Sequence, residues 1–74
     1  MAQGNVETYF EGTEWHSRIQ GDEMPFHTSD TKERATDAGR EEARTRQVEH
    51  VIKEKDGTIG AKHSYGSDPS DVPG

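Results

Sequence analysis

The sequence predicts an α+β domain of order β-β-α-β-β, in which a four-stranded antiparallel sheet carries one helix packed on one face. Three observations predict it: a first apolar alternation whose two halves pair on both faces, a proline-free run of helix formers, and a second alternation broken by Asp56-Gly57.

The first alternation is Asn5-Val6-Glu7-Thr8-Tyr9-Phe10, then Glu11-Gly12-Thr13-Glu14, then Trp15-His16-Ser17-Arg18-Ile19. Strand side chains alternate between faces. A hairpin closed by the four middle residues sets Phe10 against Trp15, Thr8 against Ser17 and Val6 against Ile19. The other face then pairs Tyr9 with His16 and Glu7 with Arg18. Apolar groups meet on one side and opposite charges on the other, the pattern that stabilises cross-strand pairs.

Gly21-Asp22-Glu23 reads as a turn. Met24-Pro25-Phe26 reads as a short extended piece, because proline disfavours helix at the residue before it. Phe26 is expected to tuck under the helix as a lid on the core.

The helix is expected over residues 32–47. Asp30 with Glu33 makes a capping-box arrangement, with Ser29 or Thr31 as alternative caps. The inner stripe is Ala35, Ala38, Gly39 and Ala43, small residues that let a backbone lie close to a sheet. Glu42 and Arg46 fall beside that stripe, four apart in the favourable acid-before-base order. They read either as a pair snorkelling off the edge of the interface or as a contact for a partner.

The second hairpin runs from Val48 to Lys55 and from Thr58 to Tyr65, and Asp-Gly between such runs is a strong turn signal. A two-residue turn pairs Ile52 with Ala61, His50 with His63 and Val48 with Tyr65. A three-residue loop would instead set Val51 against Ala61 and turn His50 outward. The first register is preferred because it gathers Val48, Ile52, Ile59, Ala61 and Tyr65 on one face. Residues 1–66 thus form one small domain, and 67–74 read as a tail of Pro, Gly, Ser and Asp.

Three motifs, in order, resemble domain of unknown function 2188, a widespread family of short bacterial proteins. They are the Thr31-Lys32-Glu33-x-Ala35 helix start, the Asp56-Gly57-x-Ile59 turn and the Ser64-Tyr65-Gly66-x-Asp68-Pro69 ending. The resemblance runs from the Trp15 strand to the tail. Thr36 and Glu42 stand where the family often has larger apolar side chains. The resemblance implies a bacterial cytoplasmic protein and supplies no activity.

Composition bounds the function. The chain has 74 residues, 26% of them hydrophobic, and no cysteine. A domain of this size buries about 60% of its unfolded surface, so its core is thin, and no disulfide supplements it. Absence of cysteine suits a reducing cytoplasm. No signal peptide or membrane span is expected. Fifteen acidic against nine basic residues give a net charge of −6, which opposes tight phosphate binding.

No nucleophile context or phosphate loop is present, so catalysis is not expected, nor is a cofactor or metal. His50 and His63 are the only histidines expected to face each other. If they are enclosed, they form a pH-sensitive pair, because charging both is unfavourable. Tyr9, His16 and Arg18 are expected on the outer face of the first hairpin. The leading expectation is a non-enzymatic binding or accessory module acting through protein contacts. A homodimer would protect the edges and apolar surface that one small-residue helix leaves open. The alternative is a nucleic-acid-associated regulator using the Tyr9, His16 and Arg18 face.

Overall fold

The structure, a computed structural model, describes residues 4–66. Strands β1 (Val6–Glu11) and β2 (Glu14–Ile19) form the first hairpin, and β3 (His27–Ser29) follows. Helix α1 (Lys32–Arg46) leads to β4 (Glu49–Lys53) and β5 (Ile59–Ser64). The strands make one sheet of order β3-β2-β1-β4-β5. The α+β class and the single helix agree with the sequence reading, but the sheet is five-stranded and mixed.

One short strand causes both differences. β3 pairs antiparallel with β2 through Trp15↔Ser29, His16↔Thr28 and Ser17↔His27. Without it, the helix would leave from the end of β2 and deliver β4 antiparallel to β1. With it, the chain reverses once more before α1, so β4 arrives parallel to β1, with Val6 opposite His50 and Thr8 opposite Ile52. A parallel neighbour requires a crossover connection, and α1 supplies it, packing against β1, β2, β3 and β4. Phe26 does not lid the core. Its backbone N–H donates to the Ser17 carbonyl while its ring is 43% exposed, and Met24 is 77% exposed.

The first hairpin has the expected register at every position, from Val6↔Ile19 to Phe10↔Trp15. The second combines both alternatives. Gly57 N–H donates to the Glu54 carbonyl at 2.9 Å, and Glu54 N–H to the Thr58 carbonyl at 2.7 Å. That closes a three-residue loop, with Gly57 at φ 91°, a backbone angle glycine reaches without a Cβ penalty. The register then shifts between Ile52 and Lys53 to give Ile52↔Ala61 and His50↔His63. The bulge leaves Gly60 unpaired and changes the parity of the residues before it. Ile59 therefore opposes Lys53 and is 61% exposed, not part of the expected core face.

Thr31, not Asp30, caps α1: it is extended at φ −127°, ψ 147°, and its side chain accepts from Arg34 N–H. Glu33 then falls one place too early for a capping box but remains in the first turn, favourable for the helix dipole. Gln47 ends the helix in the left-handed region at φ 59°, while Val48 N–H reaches back to the Ala43 carbonyl at 3.0 Å. This is the closing bond of a Schellman motif.

The inner stripe of α1 buries Ala35, Gly39 and Ala43. Beneath it the core is thin and partly polar. Val6, Trp15 and Ile52 accompany Thr8, Ser17 and His50, and the imidazole of His50 is the largest fully buried side chain. The tail 67–74 lies outside the described residues.

Candidate functional site

Because α1 covers one face of the sheet, the opposite face of β1, β2 and β4 carries no helix, and side chains of Glu7, Tyr9, His16, Arg18, Val51 and Lys53 alternate onto it. Strand pairing sets Glu7 against Arg18 and Tyr9 against His16. The Tyr9 and His16 rings stack, with centroids 5.2 Å apart and planes at 28°. The Arg18 guanidinium lies 4.6 Å from the Tyr9 ring centroid, within cation–π range.

Two members of the array, Arg18 and His16, are held by hydrogen bonds to neighbouring residues. Arg18 Nε and Nη2 donate to Glu7 Oε2 at 3.0 and 2.8 Å, and Lys53 Nζ stands 3.4 Å from Glu7 Oε1. Glu7 is buried. Burial alone raises its pKa, but the Arg18 hydrogen bond and the two cations outweigh it and hold the carboxyl below its ordinary range. His16 Nε2 lies 3.3 Å from the Glu11 carbonyl, so it is the donor there; in the neutral ring, Nδ1 accepts from the Thr28 hydroxyl at 2.8 Å. Thus β3, absent from the sequence reading, helps fix the imidazole.

Glu42 and Arg46 form an i,i+4 ion pair on α1, on the other side of the sheet. The structure brings Tyr9, His16 and Arg18 together and leaves Glu42 and Arg46 apart from them. Glu7 was legible as the partner of Arg18. Lys53 was not, since it joins the array only through the parallel β1–β4 seam.

A second constellation lies under the helix. Ser17 Oγ donates to the Ala35 carbonyl at 2.6 Å. A hydroxyl has one proton, so the 2.7 Å bond to Thr8 must run from the Thr8 hydroxyl to Ser17 Oγ. The 2.7 Å bond between Thr8 Oγ1 and His50 Nε2 must then run from the imidazole N–H to Thr8. These directions place a proton on His50 Nε2, and its buried Nδ1 has no hydrogen-bond partner to receive a second one, so the ring is the neutral Nε2–H tautomer. Burial, then the charge of His63, then that of Arg40, lower its pKa from 6.5 to about 4.

This buried row cannot present a nucleophile to a substrate. Thr8 and Ser17 have no exposed surface, and the Ser17 proton is committed to a carbonyl. His50 and His63 are neighbours as expected, yet only His50 is enclosed; His63 is exposed on β5. Among the described residues, no three His, Cys, Asp or Glu side chains converge to hold a metal ion.

The family described as "Uncharacterized protein conserved in bacteria (DUF2188)" matches residues 6–65. The chain belongs to this family. The matched span of this DUF2188 member runs from the first residue of β1 to just past β5, so it contains both constellations. No curated protein and no solved structure gives a significant match to the chain. Among the described residues of this DUF2188 protein, no helix is long and apolar enough to cross a membrane.

Proposed function

We propose that this DUF2188 protein is a non-enzymatic binding or accessory module that contacts a protein partner through the helix-free face of its sheet. The observation that carries this reading is the Tyr9–His16–Arg18 array, stacked ring on ring and guanidinium on ring. Aromatic residues and arginine are enriched at the centres of protein interfaces. Side chains already fixed by Glu7 and Thr28 lose less freedom on association. A second copy of the chain is one partner that such a face can take.

The test is affinity capture from a bacterial host, comparing wild type with the Tyr9→Ala/Arg18→Ala variant and with a Glu42→Ala/Arg46→Ala control. A partner kept by wild type and control but lost by the first variant supports the reading. Equal capture by all three overturns it. Sedimentation velocity over a concentration series tests the homodimer, and a monomer at tens of micromolar removes it.

The nucleic-acid reading ranks second. Arg18 is engaged by Glu7, and Glu11 and Glu14 at the end of the same hairpin are exposed and repel phosphates. Retention on single-stranded nucleic acid that weakens steeply with salt would reverse this ranking.

A further inference from the structure

The row under α1 has no part in the proposed contact face, yet it holds a buried histidine whose bare Nδ1 has no partner. We propose that His50 is a proton-operated latch for α1: a proton taken up at Nδ1 releases the helix from the sheet in the mildly acidic range. The inference goes beyond the binding role and does not depend on it.

The geometry leaves a charged imidazole no comfortable state. Its Nε2–H is committed to Thr8, and Nδ1–H would become a buried donor with no acceptor, a costly condition. His50 is 1% exposed, so water does not supply one at its surface. Around it, β1 contributes Val6 and Thr8 and β2 contributes Ser17, none of which ionises. The charges that act on it are those of His63 from β5 and Arg40 from α1, and both oppose a second positive charge.

The helix is the element that yields. The strands around His50 are tied by ladder hydrogen bonds, whereas α1 covers the row with the small side chains of Ala35 and Ala43 and with Gly39, and one hydrogen bond, from Ser17 Oγ to the Ala35 carbonyl, ties it to the row. At Gly39 the helix backbone lies close over the row, so that an added Cβ would lie 2.6 Å from His50 Nε2, 2.7 Å from Thr8 Oγ1 and 3.0 Å from Ser17 Oγ. Lifting α1 opens this row to water, and hydration is what the imidazolium needs.

The sign follows from linkage. The unfolded or undocked chain takes a proton near 6.5, and the docked chain only near 4. Acid therefore favours the undocked form by about 30-fold between pH 7.5 and 5.0.

The test uses the intact chain. Nitrogen chemical shifts of the His50 ring report tautomer and titration directly. Amide exchange protection compares α1 with the β1–β2 ladder, and Trp15, the one tryptophan, with Lys32 Nζ 5.5 Å from its ring, reports helix docking by fluorescence. Expected are the Nε2–H tautomer at pH 7.5, titration of His50 well below 6.5, and loss of α1 protection at pH 5.0 before that of the ladder. His50→Gln retains a donor for Thr8 without a titrating ring, and should remove the 30-fold shift; should that variant not fold, the ring titration of wild type decides alone. Titration of His50 near 6.5 in the docked state, or simultaneous loss of helix and ladder, overturns the latch.

Discussion

Gly39 of α1 and His50 of β4 approach so closely that a Cβ on the glycine would lie 2.6 Å from the imidazole Nε2. The same Cβ would crowd Thr8 Oγ1, and both neighbours are buried and locked to each other by a hydrogen bond. Neither can swing aside, so the helix must lift.

Two glycine-to-alanine variants separate this site from a superficially worse one. Gly39→Ala should destabilise the protein by about 2 kcal/mol in urea titrations, overpacking outweighing the better helix propensity of alanine. A Cβ at Gly60 would overlap the Glu54 carboxylate more severely. Glu54 is a half-exposed side chain that among the described residues pairs with Lys32 alone, and it can rotate away. Gly60→Ala should therefore change stability by less than about 1 kcal/mol. A larger loss at Gly60 than at Gly39 would contradict this account.

The direction of the hydrogen-bond row orders two further variants. Thr8→Val removes the only acceptor of His50 Nε2–H and leaves that buried donor unpaired, at a cost of about 2–3 kcal/mol. Ser17→Ala orphans the Thr8 hydroxyl proton, which can rotate to seek another partner, at about 1–2 kcal/mol. Chemical denaturation should rank Thr8→Val as the more damaging, and the reverse order would mean the row runs the other way.

Acid should weaken the fold in two stages. His50 binds no proton in the fold until about pH 4, while the unfolded chain protonates near 6.5. Stability is thus full above 6.5 and falls by about 3 kcal/mol through that window. Glu7 has a folded value below its ordinary 4.5, so its contribution is present above 4.5 and is lost as pH falls through the lower folded value. Urea midpoints measured from pH 7 to 3 should show both losses. Glu7→Gln should abolish only the later one.

Gln47 occupies a left-handed backbone position, φ 59°, that disfavours any residue with a Cβ. Gln47→Gly should raise stability by about 0.5–1 kcal/mol, the relief of strain exceeding the entropy gained by the unfolded chain. A thermal midpoint that fails to rise would show that the Gln47 side chain contributes more than its conformation costs.

The first hairpin was legible residue by residue because two independent patterns, apolar and charged, agreed on one register. The inner stripe of α1 was legible from its spacing at Ala35, Gly39 and Ala43, while Ala38 lies at its edge and is only half-buried. The parallel seam was not, because its direction depends on β3, and three residues after a proline carry too little periodicity to read as a strand. The position of Ile59 was hidden by the Gly60 bulge, which alternation alone does not reveal. The polar row under α1 did leave a trace. Thr8, Ser17 and His50 stand at core-phase positions of three strands, and a glycine sits in the middle of the helix stripe. Reading those four together would have marked the site.

The β1–β4 seam also has a kinetic meaning. Each hairpin closes over a few residues, but Val6 finds His50 across 44 positions of chain. Closing so long a loop costs more entropy than closing a turn, and non-local pairing slows folding. The two hairpins are thus expected to appear early as separate units, and docking of α1 to join them late. A substitution in the seam should then slow refolding less than it speeds unfolding.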